Sequence, residues 1–186
     1  MSLLEAAARV FGEVGYAKAT TNAIAQEAGV SPGTFYQFFP NKQSIVEALA
    51  DRYVRELDLI HANLGDVLVL SSLPIEDLVD GLVDPFITFH TQHPAFEAMF
   101  VEAGLAPESV NRKQVLEDSL TTRLTRVFRN RKPDLRPRDA LWTARVCSSI
   151  FKGMMPLISA HGGQQRTRLI RELKSVLTRY ILPITG

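Results

Sequence analysis

Apolar residues recur three or four positions apart through almost the whole chain, as in Leu4, Ala7, Ala8, Phe11 and Val14, and again in Ile45, Leu49, Tyr53, Leu57 and Ile60. That spacing lines one face of a helix, whereas the period of two that marks a half-buried strand is absent. The chain is therefore read as all-α. Breakers punctuate the pattern at Gly15, Gly29, Pro40, Pro74, Pro94, Gly104 to Pro107, Pro133 to Pro137, and Gly162 with Gly163. They delimit about nine helices: three short ones within residues 1–40, a long one from about Lys42 to Leu64, and five near 75–92, 94–103, 108–129, 138–159 and 164–182. Pro85 and Pro156 fall inside two of these and are expected to kink or break them.

The 186 residues suffice for one domain or a small module joined to a larger one. No apolar run is long enough to span a bilayer, and no charged segment followed by an apolar stretch opens the chain, so a membrane partner is not expected and a cytoplasmic location is. Single Cys147 offers neither a disulfide nor a cysteine metal site, and reads as a small buried apolar residue. His90 and His93 share a helical face near Asp84 but lack further ligands, so no metal or other cofactor is expected. Nucleophile elbow, phosphate-binding glycine loop and dinucleotide fingerprint are all missing, which argues against an enzyme. The net charge of +1 conceals an uneven distribution: −1 over residues 1–50, −9 over 51–110, +6 over 111–138 and +5 over 139–186. The basic run Arg123 to Arg138 is read as exposed surface, and the acidic face Asp77, Asp80 and Asp84 as solvated or facing a cation.

The informative stretch runs from Thr20 to Lys42. Thr20 or Thr21 can cap a short helix that turns Ile24, Ala25 and Ala28 inward, and Gly29 suits the left-handed residue that ends it. Ser31 is a good N-cap, Pro32 a good first helical residue, and Phe35 with Phe39 can anchor this second helix to the first. Two short helices around a glycine form either a plain helical hairpin or a helix-turn-helix whose second member enters a DNA major groove. The outward face decides for the latter. It holds Gly33, Thr34, Tyr36, Gln37 and Phe38, uncharged and partly aromatic where a solvated face would be charged. Gln37 can pair bidentately with adenine. Asn41 can cap the next helix and aim its free amides at a phosphate beside Lys42.

The first 50 residues resemble the DNA-binding domain of TetR-family transcriptional repressors, through Ile24-Ala25, Ala28-Gly29-Val30-Ser31, Gly33-Thr34-Phe35-Tyr36 and Phe39-Pro40-Asn41-Lys42. The resemblance implies a three-helix DNA-binding domain over residues 1–45 and a helical effector-binding and dimerisation domain over 46–186. It further implies a homodimer on a near-palindromic double-stranded DNA operator, released when a small molecule binds. Carried over by position, the DNA-contacting set is Thr21, Ser31, Gly33, Thr34, Tyr36, Gln37, Phe38 and Lys42. Two features depart from the family: Phe38 stands where many members have histidine or tyrosine, and no basic residue precedes Arg9, where members often carry a basic arm.

In the larger domain the helix at about 138–159 is apolar on two faces, Ala140, Ala144, Cys147, Phe151 and Ile158 against Trp142, Val146, Ile150, Gly153 and Leu157. Such a helix needs cover on both sides. The helix at about 164–182 repeats this more weakly, with Leu169, Leu173, Val176 and Tyr180 opposite Ile170, Leu177 and Ile181. Pairing of both helices across a two-fold axis meets the need. Phe86, Phe89, Phe96, Met99, Phe100, Leu116, Leu120, Phe151, Met154 and Met155 are adaptable side chains suited to a mostly apolar effector, with His90, His93 or Gln92 to orient it. The competing function is a helical carrier of an apolar metabolite that does not bind DNA.

Overall fold

The computed structural model describes residues 1–96, 99–100 and 103–185. Among these the chain is all-α, with nine helices and no strand: α1 (Leu3–Lys18), α2 (Thr21–Ala28), α3 (Pro32–Phe38), α4 (Lys42–Asn63), α5 (Val67–Ser72), α6 (Ile75–Gln92), α7 (Pro107–Arg131), α8 (Pro137–Ala160) and α9 (Gly163–Thr185). The expected helix at 94–103 lies partly outside the described residues, while α5 has no counterpart in the sequence reading. By compactness the chain divides into one unit of residues 1–58 and 92–114 and another of residues 59–91 and 115–186.

In the first unit, local chemistry sets the helix ends. Ser2 and Glu5 form a reciprocal capping box, the Glu5 amide donating to Ser2 Oγ and the Ser2 amide to Glu5 Oε2. The bond from the Ser2 amide favours the ionised Glu5 carboxyl, whose pKa is lowered mainly by that backbone amide and further by the Ser2 side chain. Gly15 interrupts α1 at φ 76°, a backbone conformation that suits glycine. The core takes Ala6, Ala7 and Phe11 from α1, Ile24 and Ala25 from α2, Phe35 from α3, and Ile45, Leu49 and Tyr53 from α4, with Phe96 and Met99. Fully burying a large side chain of this kind stabilises by about 1.5–3 kcal/mol.

The core of the second unit runs through Leu70, Leu78, Val83, Leu124, Val127, Phe128, Ala144, Cys147, Ile158, Leu173, Leu177 and Ile181. Helix α5 starts at Asp66, whose carboxylate accepts the Leu68 amide at 2.7 Å, and past its end Arg131 donates to the carbonyls of Ser71 and Leu73. Helices α6 and α8 continue through Pro85 and Pro156, so neither proline breaks its helix. The residues four back, Gly81 and Lys152, are exposed, so water can take the carbonyls each proline leaves unpaired. The buried stripe of α9 also differs from the reading: Leu173, Leu177 and Ile181 share one face, four apart, and Val176 is exposed. On the acidic face of α6 the cation is internal. Lys174 reaches Asp80 at 3.0 Å and Asp84 at 2.6 Å. Burial disfavours the Lys174 charge, but the two aspartates outweigh it and raise its pKa.

Candidate nucleic-acid interface

The α2–α3 pair is built by its caps. Thr20 Oγ1 accepts the Ala23 amide at 3.1 Å, Gly29 closes α2 in the left-handed region at φ 74°, ψ 27°, and Ser31 Oγ accepts the Thr34 amide at 3.0 Å, with Pro32 opening α3. Of the two threonines considered for the first cap, Thr20 has the role. Phe35 is fully buried and its ring lies 6.0 Å from that of Phe39, so one side of α3 is held by the core. The opposite side is bare: Tyr36 is 51% exposed and Phe38 68%, and Gly33 and Gln37 are exposed beside them.

Two hydrogen bonds order this surface. Thr21 Oγ1 and Tyr36 Oη are 2.9 Å apart, joining α2 to α3, and Ser31 Oγ and Thr34 Oγ1 are also 2.9 Å apart. A Cβ added at Gly33 would meet only Ser31 Oγ, at 3.6 Å, so the fold has room for a side chain there. Glycine inside a helix costs about 1 kcal/mol relative to alanine. Among the described residues, no contact at Gly33 requires glycine there.

Lys42 is half-buried, and its position differs from that of a free phosphate clamp. Its Nζ donates to the carbonyls of Tyr16 at 2.9 Å and Ala19 at 3.0 Å, and lies 4.2 Å from the Tyr16 ring centroid. Asn41 Oδ1 accepts the Ser44 amide at 2.8 Å at the start of α4, as its sequence position suggested. The set assigned to DNA therefore lies on or beside α2, α3 and the first residue of α4. All of it except Lys42 offers side-chain or backbone surface to solvent without a strong internal commitment of charge.

The residues assigned to an effector fall in both units. His93, Phe96, Met99 and Phe100 belong to the first, where Phe96 and Met99 are buried and His93 Nε2 lies 2.9 Å from Glu56 Oε1 with its ring 4.5 Å from Tyr53. Phe86, Phe89, His90, Leu116, Leu120, Phe151, Met154 and Met155 belong to the second. There Phe86 and Phe151 are 6.1 Å apart, His90 is 5.9 Å from Phe151, and His61 stands edge-on to Phe86 at 5.2 Å. His61 was not singled out from sequence. It ends the apolar stripe of α4 and reads there only as a favourable charge at a helix C-terminus. Among the described residues no group of three histidine, cysteine or acidic side chains is placed to hold a metal, and no helix is long and apolar enough to cross a membrane.

On the second unit's surface, Trp142 is 52% exposed and Leu157 and Val176 are exposed as well, while Ala140, Ala144, Cys147 and Ile158 face the core. One of the two apolar faces read on the 138–159 helix is thus covered by its own chain. The other is open.

Comparison with known proteins agrees with this architecture. Residues 3–49 match the family described as bacterial regulatory proteins, tetR family, and residues 74–181 match the tetracyclin repressor-like C-terminal domain. The HTH-type transcriptional regulator YhgD of Bacillus subtilis is 28% identical over 100 residues, covering 54% of this chain and 50% of its own length. YvkB of the same organism, also an HTH-type transcriptional regulator, is 41% identical over 126 residues, 64% of this chain and 65% of its own. The chain thus spans half to under two thirds of these relatives. The TetR-family regulator PfmR of Thermus thermophilus has the same fold, with a TM-score of 0.74 at 18% identity, over 96% of this chain and 98% of that one. With both domains matched and the helix-turn-helix in place, the chain belongs to the TetR family of transcriptional regulators.

Proposed function

We propose that the protein is a homodimeric repressor whose α3 helices read a near-palindromic operator and that a small, mostly apolar molecule releases it. DNA binding is assigned to residues 1–45 and effector binding and dimerisation to 46–186. The observation that carries the reading is the outer face of α3, where aromatic Tyr36 and Phe38 stand in solvent beside a glycine the fold does not need. Exposed apolar side chains clustered on a rigid, capped helix favour a partner. Gly33 gives the backbone close approach to the duplex, Gln37 reads an adenine edge, and Phe38 packs on a thymine methyl or a sugar. Thr21, Ser31, Thr34 and Tyr36 position the helix through phosphates, and Lys42 supports the approach by fixing the end of α1 and offering its remaining donor.

Dimerisation through the open faces of α8 and α9 would cover Trp142, Leu157 and Val176, and would set two recognition helices about 34 Å apart, one turn of duplex. The effector is assigned to the aromatic cluster of the second unit around Phe86, His90 and Phe151, with His61 added to the orienting residues. Binding would favour a state with wider spacing of the recognition helices, displaced through α4. Because the first 50 residues carry net charge −1, few counterions leave on binding, fewer than about six per dimer. Fluorescence anisotropy with an operator selected from random duplexes tests the reading. Sequence-selective binding that disappears in Tyr36→Ala supports it, and binding of no duplex above a random control overturns it.

A further inference from the structure

Beside the apolar cluster, the second unit carries a polar cleft of about 280 Å³ lined by Gly65, Asp66, Val67, Ser119, Thr122, Arg123 and Arg126. This is below the usual size of sites for drug-sized ligands and suits a small ion with a few attached atoms. Its α7 wall is one helical stripe, because residues 119, 122, 123 and 126 are spaced by three and four. Its other wall is the turn entering α5. We propose that this cleft binds a small oxyanion that carries its own hydroxyl, such as hydrogen phosphate or a short hydroxy acid.

The polar groups are sorted for such a ligand. Arg123 is half-buried and held in place by a bond from Nη1 to the Gly65 carbonyl at 3.0 Å, which leaves the rest of its guanidinium for an anion. Arg126, one turn on, is exposed and makes no hydrogen bond or ion pair with any described residue. Two guanidiniums on one stripe are suited to bidentate contact with phosphate or carboxylate oxygens, and pre-fixing one lowers the ordering cost. Ser119 makes no side-chain hydrogen bond to any described residue, so its hydroxyl can donate to the ligand. Thr122 donates its own to the Asp118 carbonyl at 2.9 Å and therefore remains as an acceptor. Asp66 also accepts: one oxygen caps α5 and the other is open to the ligand's hydroxyl. A bare anion would meet the Asp66 charge unrelieved, whereas an anion with an O–H donor satisfies it.

The test is titration of the full-length protein with inorganic phosphate, lactate and acetate at constant ionic strength, followed by calorimetry and by the side-chain Nε–Hε resonances of Arg123 and Arg126 in NMR spectra. The expected result is saturable binding of phosphate or lactate at least tenfold tighter than acetate, with both arginine resonances shifted. Whichever of the two binds identifies the source of the oxyanion. Arg126→Gln, at an exposed position outside the core, should weaken that binding at least tenfold with an unchanged unfolding temperature. Equal response to all three anions, or binding unaltered in Arg126→Gln, would overturn the proposal. No DNA or apolar effector enters the measurement, so it stands independently of the repressor reading.

Discussion

Glu47 of α4 accepts the backbone N–H of Ala106, 59 positions away, at 2.7 Å, and so holds the residue that precedes α7. The same carboxylate accepts the Ser109 hydroxyl at 3.2 Å and Gln43 Nε2 at 2.8 Å, while Gln43 Oε1 accepts the Tyr16 hydroxyl at 2.9 Å. Glu47 and Gln43 together thereby tie the end of α1 and the start of α4 to the start of α7 within the first unit. Glu47→Ala leaves a backbone donor and a hydroxyl without their acceptor and should destabilise by about 1–3 kcal/mol. Glu47→Gln keeps a carbonyl for Ala106 and should lose less than half of that. Urea denaturation of both variants at one protein concentration checks the order.

Gln37 and Lys42 should fail differently. Gln37→Ala is expected to relax base preference at one position per half-site and to cost about 1–3 kcal/mol in operator binding. Lys42→Ala removes donors to the Tyr16 and Ala19 carbonyls, so it should weaken every duplex alike and also lower the unfolding temperature. Competition binding against a panel of single-base operator variants, with thermal unfolding alongside, separates the two effects.

If the open face of α8 is the dimer surface, a charge placed there cannot be buried without a partner. Trp142→Glu combined with Leu157→Glu should convert the dimer to monomer in sedimentation equilibrium and weaken operator binding by at least tenfold. Both side chains are exposed in the single chain, so the monomer's helicity should be unchanged.

Two buried groups make the fold sensitive to alkali. Burial pushes the Cys147 thiol up to about 12 from 9.0, and burial likewise pushes the Tyr53 hydroxyl up to about 12 from 10.0, with Glu56 adding to that rise and Arg52 opposing it. A folded-state pKa above the unfolded one means a contribution fully present below the unfolded value and lost as pH rises toward the folded value. Stability should therefore hold up to about pH 9 and fall progressively from there to about pH 12, as read from urea midpoints. At pH 8 Cys147 should react with a thiol reagent only as fast as the protein opens.

The legible parts of this molecule are those fixed by near neighbours. Thr20, Gly29, Ser31, Pro32 and Asn41 reveal the helix-turn-helix and the start of α4 because a cap depends on residues two to four positions away. Helix α5 escapes notice because six residues make less than two turns and show no period. Lys174 could not be matched to Asp80 and Asp84 from sequence, since the pairing depends on how α9 packs in the second unit. The Phe and Met stripe assigned to the effector shows the same limit: apolar spacing marks Phe96 and Phe86 alike as inward-facing, and only packing separates them into different units. The commitment of Lys42 to α1 carbonyls is invisible for the same reason, since a lysine at a helix start suits a phosphate equally well.

In the proposed complex, α3 presents Gly33 to Phe38 to a major groove twice per dimer. Selection of bound sequences from a random duplex library, followed by hydroxyl-radical footprinting on the winner, tests it most directly. The expected result is an enriched near-palindrome whose two protected half-sites are centred about 10–10.5 base pairs apart, with the preference at one base per half-site lost in Gln37→Ala. No enriched sequence, or the same enriched sequence selected by a chain carrying Tyr36→Ala and Gln37→Ala together, would contradict it.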